Sequence, residues 1–124
     1  MKKILVADDD LNIRTALSEA LSEEGYEVIA VGTGGEALKI ALEKKLDLLI
    51  LDIKMPDIHG IDVLKRLRAK GKTLPVIILT AFPAMEKDME IQLGKISAFI
   101  SKPFDLEEVK NTVRGIVVEE TENE

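Results

Sequence analysis

The sequence predicts an α/β protein: five parallel strands alternating with five helices, a (βα)5 chain doubly wound around one sheet. Two runs of aliphatic residues, Leu48 to Leu51 and Pro75 to Leu79, suit strands buried on both faces, as central strands of parallel sheets are. Between the strand-like runs lie segments with apolar residues at helical spacing, such as Ile13, Ala16, Leu17, Ala20 and Leu21. Strands of this kind, joined by helical crossovers, require helices on both faces of the sheet.

Taken in order, Lys2 to Ala7 forms a short strand that stops at Asp8-Asp9-Asp10. The first helix follows, with Asp10 as its N-cap and Gly25 as its stop. Glu27 to Val31 reads as the second strand, and Thr33-Gly34-Gly35-Glu36 has capping-box spacing ahead of a helix to about Lys45. The third strand runs into Asp52, and Pro56 and Gly60 mark the loop after it. Ile61, Leu64 and Leu67 face a third helix inward, and Lys65, Arg66 and Arg68 give it a wetted basic surface. After the fourth strand and Thr80, a weak helix follows Pro83, with Met85, Met89 and Leu93 or Ile96 as its inner face and the methionines as core filler. Ala98 to Ser101 is the fifth strand. Asp105 caps a last helix whose core side is Leu106, Val109, Val113, Ile116 and Val117. The domain spans 1–118, and residues 119–124, with four glutamates, are an acidic tail expected to fray.

Composition narrows the function. At 124 residues the chain is one domain that buries a core without staples. It has no cysteine, no signal-like amino terminus and no apolar run near ~18 residues, so a cytoplasmic protein with no membrane span is expected. A formal charge of −6 argues against direct nucleic-acid binding, which needs a basic face, and 3% aromatics leave no base-stacking platform.

In a parallel sheet the strands' carboxyl ends share one edge, where open α/β sheets place their ligand crevices. That edge collects Asp8 and Asp9, Asp52, Thr80 and Lys102. Three carboxylates need a cation, and an oxygen-only set with room for water suits Mg²⁺ (or Mn²⁺) better than zinc. Lys102 offers an ammonium and Thr80 a hydroxyl, both suited to phosphoryl oxygens. Asp52, at the end of a buried strand, is then placed to act as a carboxylate nucleophile toward phosphorus. The one histidine, His59, lies in the following loop and reads as solvated.

These residues in this order resemble a two-component response-regulator receiver domain from residue 2 to about 117. The motifs are Val6-Ala7-Asp8-Asp9, Leu51-Asp52-Ile53-Lys54-Met55-Pro56-Asp57 with Gly60, Leu79-Thr80-Ala81, and Lys102-Pro103-Phe104. Among such domains the pattern is most similar to sporulation-phosphorelay messengers and nitrogen-regulator receivers. The resemblance implies a flavodoxin-like sheet of order 2-1-3-4-5, with its switch point between strands one and three. It implies that Asp52 accepts a phosphoryl group from a sensor histidine kinase or phosphotransfer protein. It also implies that Asp9, Asp52 and the Lys54 carbonyl ligate Mg²⁺, with Asp8 acting through water. Thr80 and Lys102 would contact the phosphoryl group, Lys102-Pro103 would be a cis peptide, and Phe99 would be the switch aromatic. Such a domain signals rather than turning over a substrate, although it takes part in its own phosphorylation and dephosphorylation. Its output goes to a downstream protein or an effector domain outside this sequence.

Two departures stand out. Phe99 has no hydroxyl to signal with, and Lys95-Ile96 replaces a small Gly-Ala pair often seen there in the family. Lys54 and Phe82 flank the pocket mouth and carry no carboxylate or carboxamide to orient an attacking water, so a long-lived phospho-form is expected. Two other readings compete with this one. A magnesium phosphohydrolase of the haloacid-dehalogenase kind shares the Asp-x-Asp, but has Thr or Val where Asn12 stands. A flavodoxin-like carrier would need a phosphate loop where three aspartates repel phosphate.

Overall fold

A computed structural model describes the backbone of residues 1–122 and the side chains of 1–89 and 91–117. Five strands, β1 (Lys3–Ala7), β2 (Glu27–Val31), β3 (Leu48–Asp52), β4 (Val76–Thr80) and β5 (Ala98–Ser101), form one parallel sheet in the order β2-β1-β3-β4-β5. The connecting helices are α1 (Leu11–Glu23), α2 (Gly34–Glu43), α3 (Gly60–Ala69), α4 (Met89–Leu93) and α5 (Leu106–Glu122), with a 3₁₀ turn at Pro83–Lys87. The acidic tail expected from 119 involves side chains outside the described residues, as do positions 123 and 124 entirely.

Because side chains alternate along a strand, each aliphatic run feeds two cores. Leu5, Leu49, Leu51, Val76 and Ile78 pack with Ala37 and Ala41 of α2, Leu64 and Leu67 of α3, and Ile91 of α4. Ile4, Leu48, Ile50, Ile77 and Leu79 pack on the other face with Leu17 and Leu21 of α1 and Val109, Val113 and Val117 of α5. All five residues of β3 and of β4 are buried, as their unbroken apolar runs require.

The caps read from the sequence are formed. Asp10 accepts from the Asn12 amide, and Thr33 accepts from the Glu36 amide while donating its hydroxyl to the Glu36 carboxylate. Gly25 takes φ +95° at the end of α1.

Three expectations are corrected. The segment after Pro83 is a 3₁₀ turn, an extended Asp88 (φ −62°, ψ 132°), then a five-residue α4. The break resets the helical phase, so Ile91 enters the core while Met89 and Leu93 are each 72% exposed; only Met85 and Ile96 of the expected face pack against it. At the head of α5, Leu106 is exposed, and the helix buries Val109 as its first core residue. Arg68 is not a wetted side chain: Nε donates to the Gly94 carbonyl at 2.7 Å and Nη1 to the Lys72 and Leu74 carbonyls at 2.9 and 2.8 Å. It fastens α3 to the end of α4 and to the strand entry beyond Gly71.

The glycine at the head of α2 is required by contact. A Cβ on Gly34 would lie 2.0 Å from the Ile58 carbonyl oxygen, a backbone atom that cannot step aside, whereas one on Gly115 in α5 would meet nothing within 4 Å. We expect Gly34→Ala to destabilise the fold by about 2–4 kcal/mol, and Gly115→Ala to stabilise it by about 0.5–1 kcal/mol through helix propensity. Urea unfolding of the two variants checks both signs.

Candidate functional site

The carboxyl ends of β1 and β3 are neighbours in the sheet, paired from Ile4↔Leu48 to Ala7↔Leu51, so the residues just beyond them converge. Carboxylate oxygens of Asp8, Asp9 and Asp52 all lie within 4.8 Å of one another. Asp8 and Asp52 are buried and Asp9 is exposed at the lip. The end of β5 delivers the one ammonium at the centre of this group. Lys102 Nζ stands 2.8 Å from Asp8 Oδ2 and 3.4 Å from Asp52 Oδ2.

The electrostatics follow from the geometry. Burial, then the charge of Asp8, push the Asp52 carboxyl up to about 6; Lys102 opposes this and Asp9 adds a further push upward. Burial works against the ammonium of Lys102, but Asp8 and Asp52 outweigh it and hold the lysine above its ordinary pKa. Asp8 Oδ1 accepts from the Asp10 amide at 2.9 Å. Its other oxygen is buried with no aligned hydrogen bond, although Lys102 lies close by, so that contact is an ion pair rather than a directed bond. Three oxygen donors, one of them an orphaned buried atom, fit a hard divalent cation.

The neighbouring residues complete the edge. Thr80 is fully buried, its hydroxyl accepting from the Phe82 amide at 3.2 Å, and its carbonyl accepts from the Lys102 amide at 2.7 Å. The Lys102-Pro103 peptide is cis. Phe99 is half-buried and packs against the core face shared by α2, α3 and α4. Lys54 and Phe82 meet, the ammonium lying 4.3 Å from the ring centroid. His59 is the residue before α3 and makes no side-chain cap.

Two residues that sequence reasoning passed over shape the site. Arg14 Nη1 donates to the Asp8 carbonyl at 2.8 Å and pins the turn after β1. Asp57 accepts from the amides of Gly34 and Gly35, each at 2.9 Å, so the loop after Asp52 docks on the head of α2. Those amide bonds, with one from Ile58 as the largest cause, lower the Asp57 pKa. The loop's other end is fixed where the Gly60 amide donates to the Ile53 carbonyl at 2.6 Å. The signal available for Asp57 was its place in a Pro-Asp turn facing a Gly-Gly helix start.

A five-stranded parallel sheet with an acidic triad, a lysine and a buried threonine at its carboxyl edge defines a class of phosphoryl-accepting signalling domain, and comparison with known proteins agrees. The model of the response regulator receiver domain matches residues 4–114, and the chain belongs to that family. It is 37% identical over 114 residues to sporulation initiation phosphotransferase F of Bacillus subtilis, covering 91% of each. It is 40% identical over 117 residues to the alkaline phosphatase synthesis transcriptional regulatory protein PhoP of the same organism, covering 94% of this chain but 48% of that one. The chain thus spans about half the length of several relatives it matches. Among solved structures, response regulator TrrA of Thermotoga maritima in complex with Mg²⁺-BeF superposes with a TM-score of 0.86 at 40% identity, covering 94% of this chain and 99% of that one. The same regulator in complex with histidine kinase ThkA gives a TM-score of 0.84 at 41% identity, again covering 94% and 99%.

The raised Asp52 pKa makes a stability prediction. An acid raised in the folded state favours folding when protonated. That stability is fully present below about pH 4 and is lost as pH rises through about 6. In metal-free protein, Asp52→Asn should therefore gain on the order of 2 kcal/mol over wild type near pH 7.5, and the difference should shrink toward pH 4. Thermal melts in chelator across this range measure it; a gain independent of pH would contradict the burial argument.

Proposed function

We propose that Asp52 is the phosphoacceptor of this receiver and that its partner in the reaction is a histidine on a sensor kinase or phosphotransfer protein. The observation that carries the proposal is the convergence of Asp8, Asp9 and Asp52 around Lys102 at the carboxyl edge of the sheet. Asp52 attacks phosphorus with a carboxylate oxygen; a P–O bond forms as the P–N bond of the phosphohistidine breaks, and the imidazole leaves with the electron pair. Asp52 must be ionised to attack, and with a pKa near 6 it is ionised at neutral pH. Lys102, already between two carboxylates, moves its charge onto the incoming phosphoryl oxygens, and the Thr80 hydroxyl donates to another.

Asp9, Asp52 and the Lys54 carbonyl are the residues that would hold Mg²⁺ (or Mn²⁺), with Asp8 through a water, and the ion supplies charge neutralisation on the phosphoryl oxygens. The TrrA complex with Mg²⁺-BeF supports this reading, and the TrrA–ThkA complex supports a kinase partner. Phosphorylation biases Thr80 and Phe99 and with them the α4–β5–α5 surface, read by a downstream protein or by an effector domain elsewhere in a longer chain. Net acidity argues that this domain does not itself hold nucleic acid. Among the described residues no helix is long and apolar enough to cross a membrane, and a cytoplasmic setting accords with the cysteine-free sequence.

Incubation with a small phosphodonor and Mg²⁺ tests the assignment. Wild type should carry about one acid-stable, hydroxylamine-labile phosphoryl group and Asp52→Asn none, because an amide is no acceptor; undiminished labelling of the variant would sink the proposal. A second prediction concerns lifetime. The Lys54 ammonium lies over the Phe82 ring, and on this reading the pair covers one side of the mouth against water in line with phosphorus. Lys54→Asn should unstack this cover and speed acyl-phosphate decay by about threefold or more, whereas unchanged decay would show that the pair does not guard the site.

A further inference from the structure

The side of the molecule between α3 and α4 carries a cleft that the phosphoryl chemistry does not use. Its cavity of about 350 Å³ is lined by Arg68, Gly71, Lys72, Thr73, Leu93 and Lys95. Three of these six are cations and none is an acid, in a protein of net charge −6. Leu93 stands 72% exposed at its wall, a large aliphatic with no core role.

Two details set this cleft apart from a wetted basic surface. The first is Arg68. Three backbone carbonyls use its Nε–H and both N–H groups of Nη1, which fixes the plane of the guanidinium. Among the described residues its partners are neutral dipoles with no carboxylate paired to its charge, and the two N–H groups of Nη2 have no hydrogen-bond partner there. Burial lowers its pKa accordingly. A guanidinium held rigid with one nitrogen open is preorganised for a carboxylate.

The second is Lys95. It is the one described residue other than glycine with positive φ, at 53°. Glycine stands next to it, at 94, where a Cβ would come within 2.4 Å of Leu64 Cδ2, so close packing claims the glycine and the left-handed position falls to lysine. A strained backbone at a non-glycine residue is a hint of use, and what Lys95 adds at that strained position is a third cation on the cleft.

We propose that this cleft docks an acidic segment of another protein, one carboxylate pairing with Arg68 Nη2 and the rims of Lys72 and Lys95, and a neighbouring aliphatic side chain resting on Leu93. A bare inorganic anion would leave Leu93 uncovered. A second copy of this chain brings its own charge of −6, so that self-association is opposed by repulsion. The inference is independent of the aspartyl site and stands whether or not Asp52 is phosphorylated.

The test is an NMR titration of the 124-residue protein with a short acetylated peptide of alternating Glu and Leu, beside one of alternating Lys and Leu. We expect millimolar binding of the acidic peptide, with amide shifts at 65–73 and 93–96, weakening as salt rises, and none of the basic peptide. Lys95→Gly separates binding from folding, since it removes the cation and relieves the backbone at once. It should raise the melting temperature yet weaken the acidic peptide about threefold to fivefold. Equal affinity in Lys95→Gly, equal binding of both peptides, displacement by inorganic phosphate alone, or a dimer built on this cleft in sedimentation would each overturn the proposal.

Discussion

The structure depends on holding three carboxylates at one sheet edge with a single ammonium among them. Such a cluster works against the apo fold. Asp52 is pushed up to about 6, and an oxygen of Asp8 is buried beside Lys102 without a directed bond. The surrounding architecture makes this tolerable. The aliphatic runs of β3 and β4, packed on both faces, supply hydrophobic stabilisation that offsets the electrostatic cost, at about 25 cal/mol per Å² of apolar surface removed from water. A site that is strained when empty gains more on receiving a cation or a phosphoryl group than one already at rest, because binding relieves repulsion as well as forming contacts.

Around that cluster the loops are fastened by hydrogen bonds to backbone groups, in addition to the burial of Ile53 and Met55 in the core. The loop after Asp52 is held at one end by Gly60 against Ile53 and at the other by Asp57 on the amides of Gly34 and Gly35. A Cβ on Gly60 would come within 2.1 Å of the Asp52 carbonyl oxygen, so the glycine admits the helix head directly beneath Asp52. These contacts use donors at the head of α2 that would otherwise lack partners, and in exchange fix the stretch that carries Lys54. The β1–α1 turn is held in kind by Arg14 on the Asp8 carbonyl.

Much of this was legible in the sequence, for a physical reason. Buried parallel strands leave unbroken aliphatic runs, caps leave Asp or Thr ahead of a helix, and each strand's polar terminus lands on the one edge that parallel topology provides. What was not legible depended on partners distant in sequence. Asp57 faces Gly34 across 23 residues and Arg68 faces Gly94 across 26, and neither pairing has a local pattern. The face of α4 was misread because Asp88 interrupts the helix, so a continuous 3.6-residue period carried Met89 and Leu93 inward when the chain had already turned them out. Leu106 was misplaced for a simpler reason: an apolar residue in the first turn of a helix has no preceding turn to pack beneath.

The same interruption bears on how a change at the acidic edge would travel. Thr80 and Lys102 are joined through their backbones, and β4 pairs with β5 as Ile78↔Phe99 and Thr80↔Ser101, so a pull on the Thr80 hydroxyl or on Lys102 acts on the register that carries Phe99. Between those strands lie a 3₁₀ turn and a five-residue helix, where Ile91 is fully buried and Met85 packs partly against the core. Arg68 reaches this segment through a single hydrogen bond, to the Gly94 carbonyl. With so little apolar surface buried there, local rearrangement costs far less than moving β3 or β4. In a sheet edge joined to a short helix with one fully buried side chain, a displacement at the edge is taken up by the helix at lower cost than by the sheet.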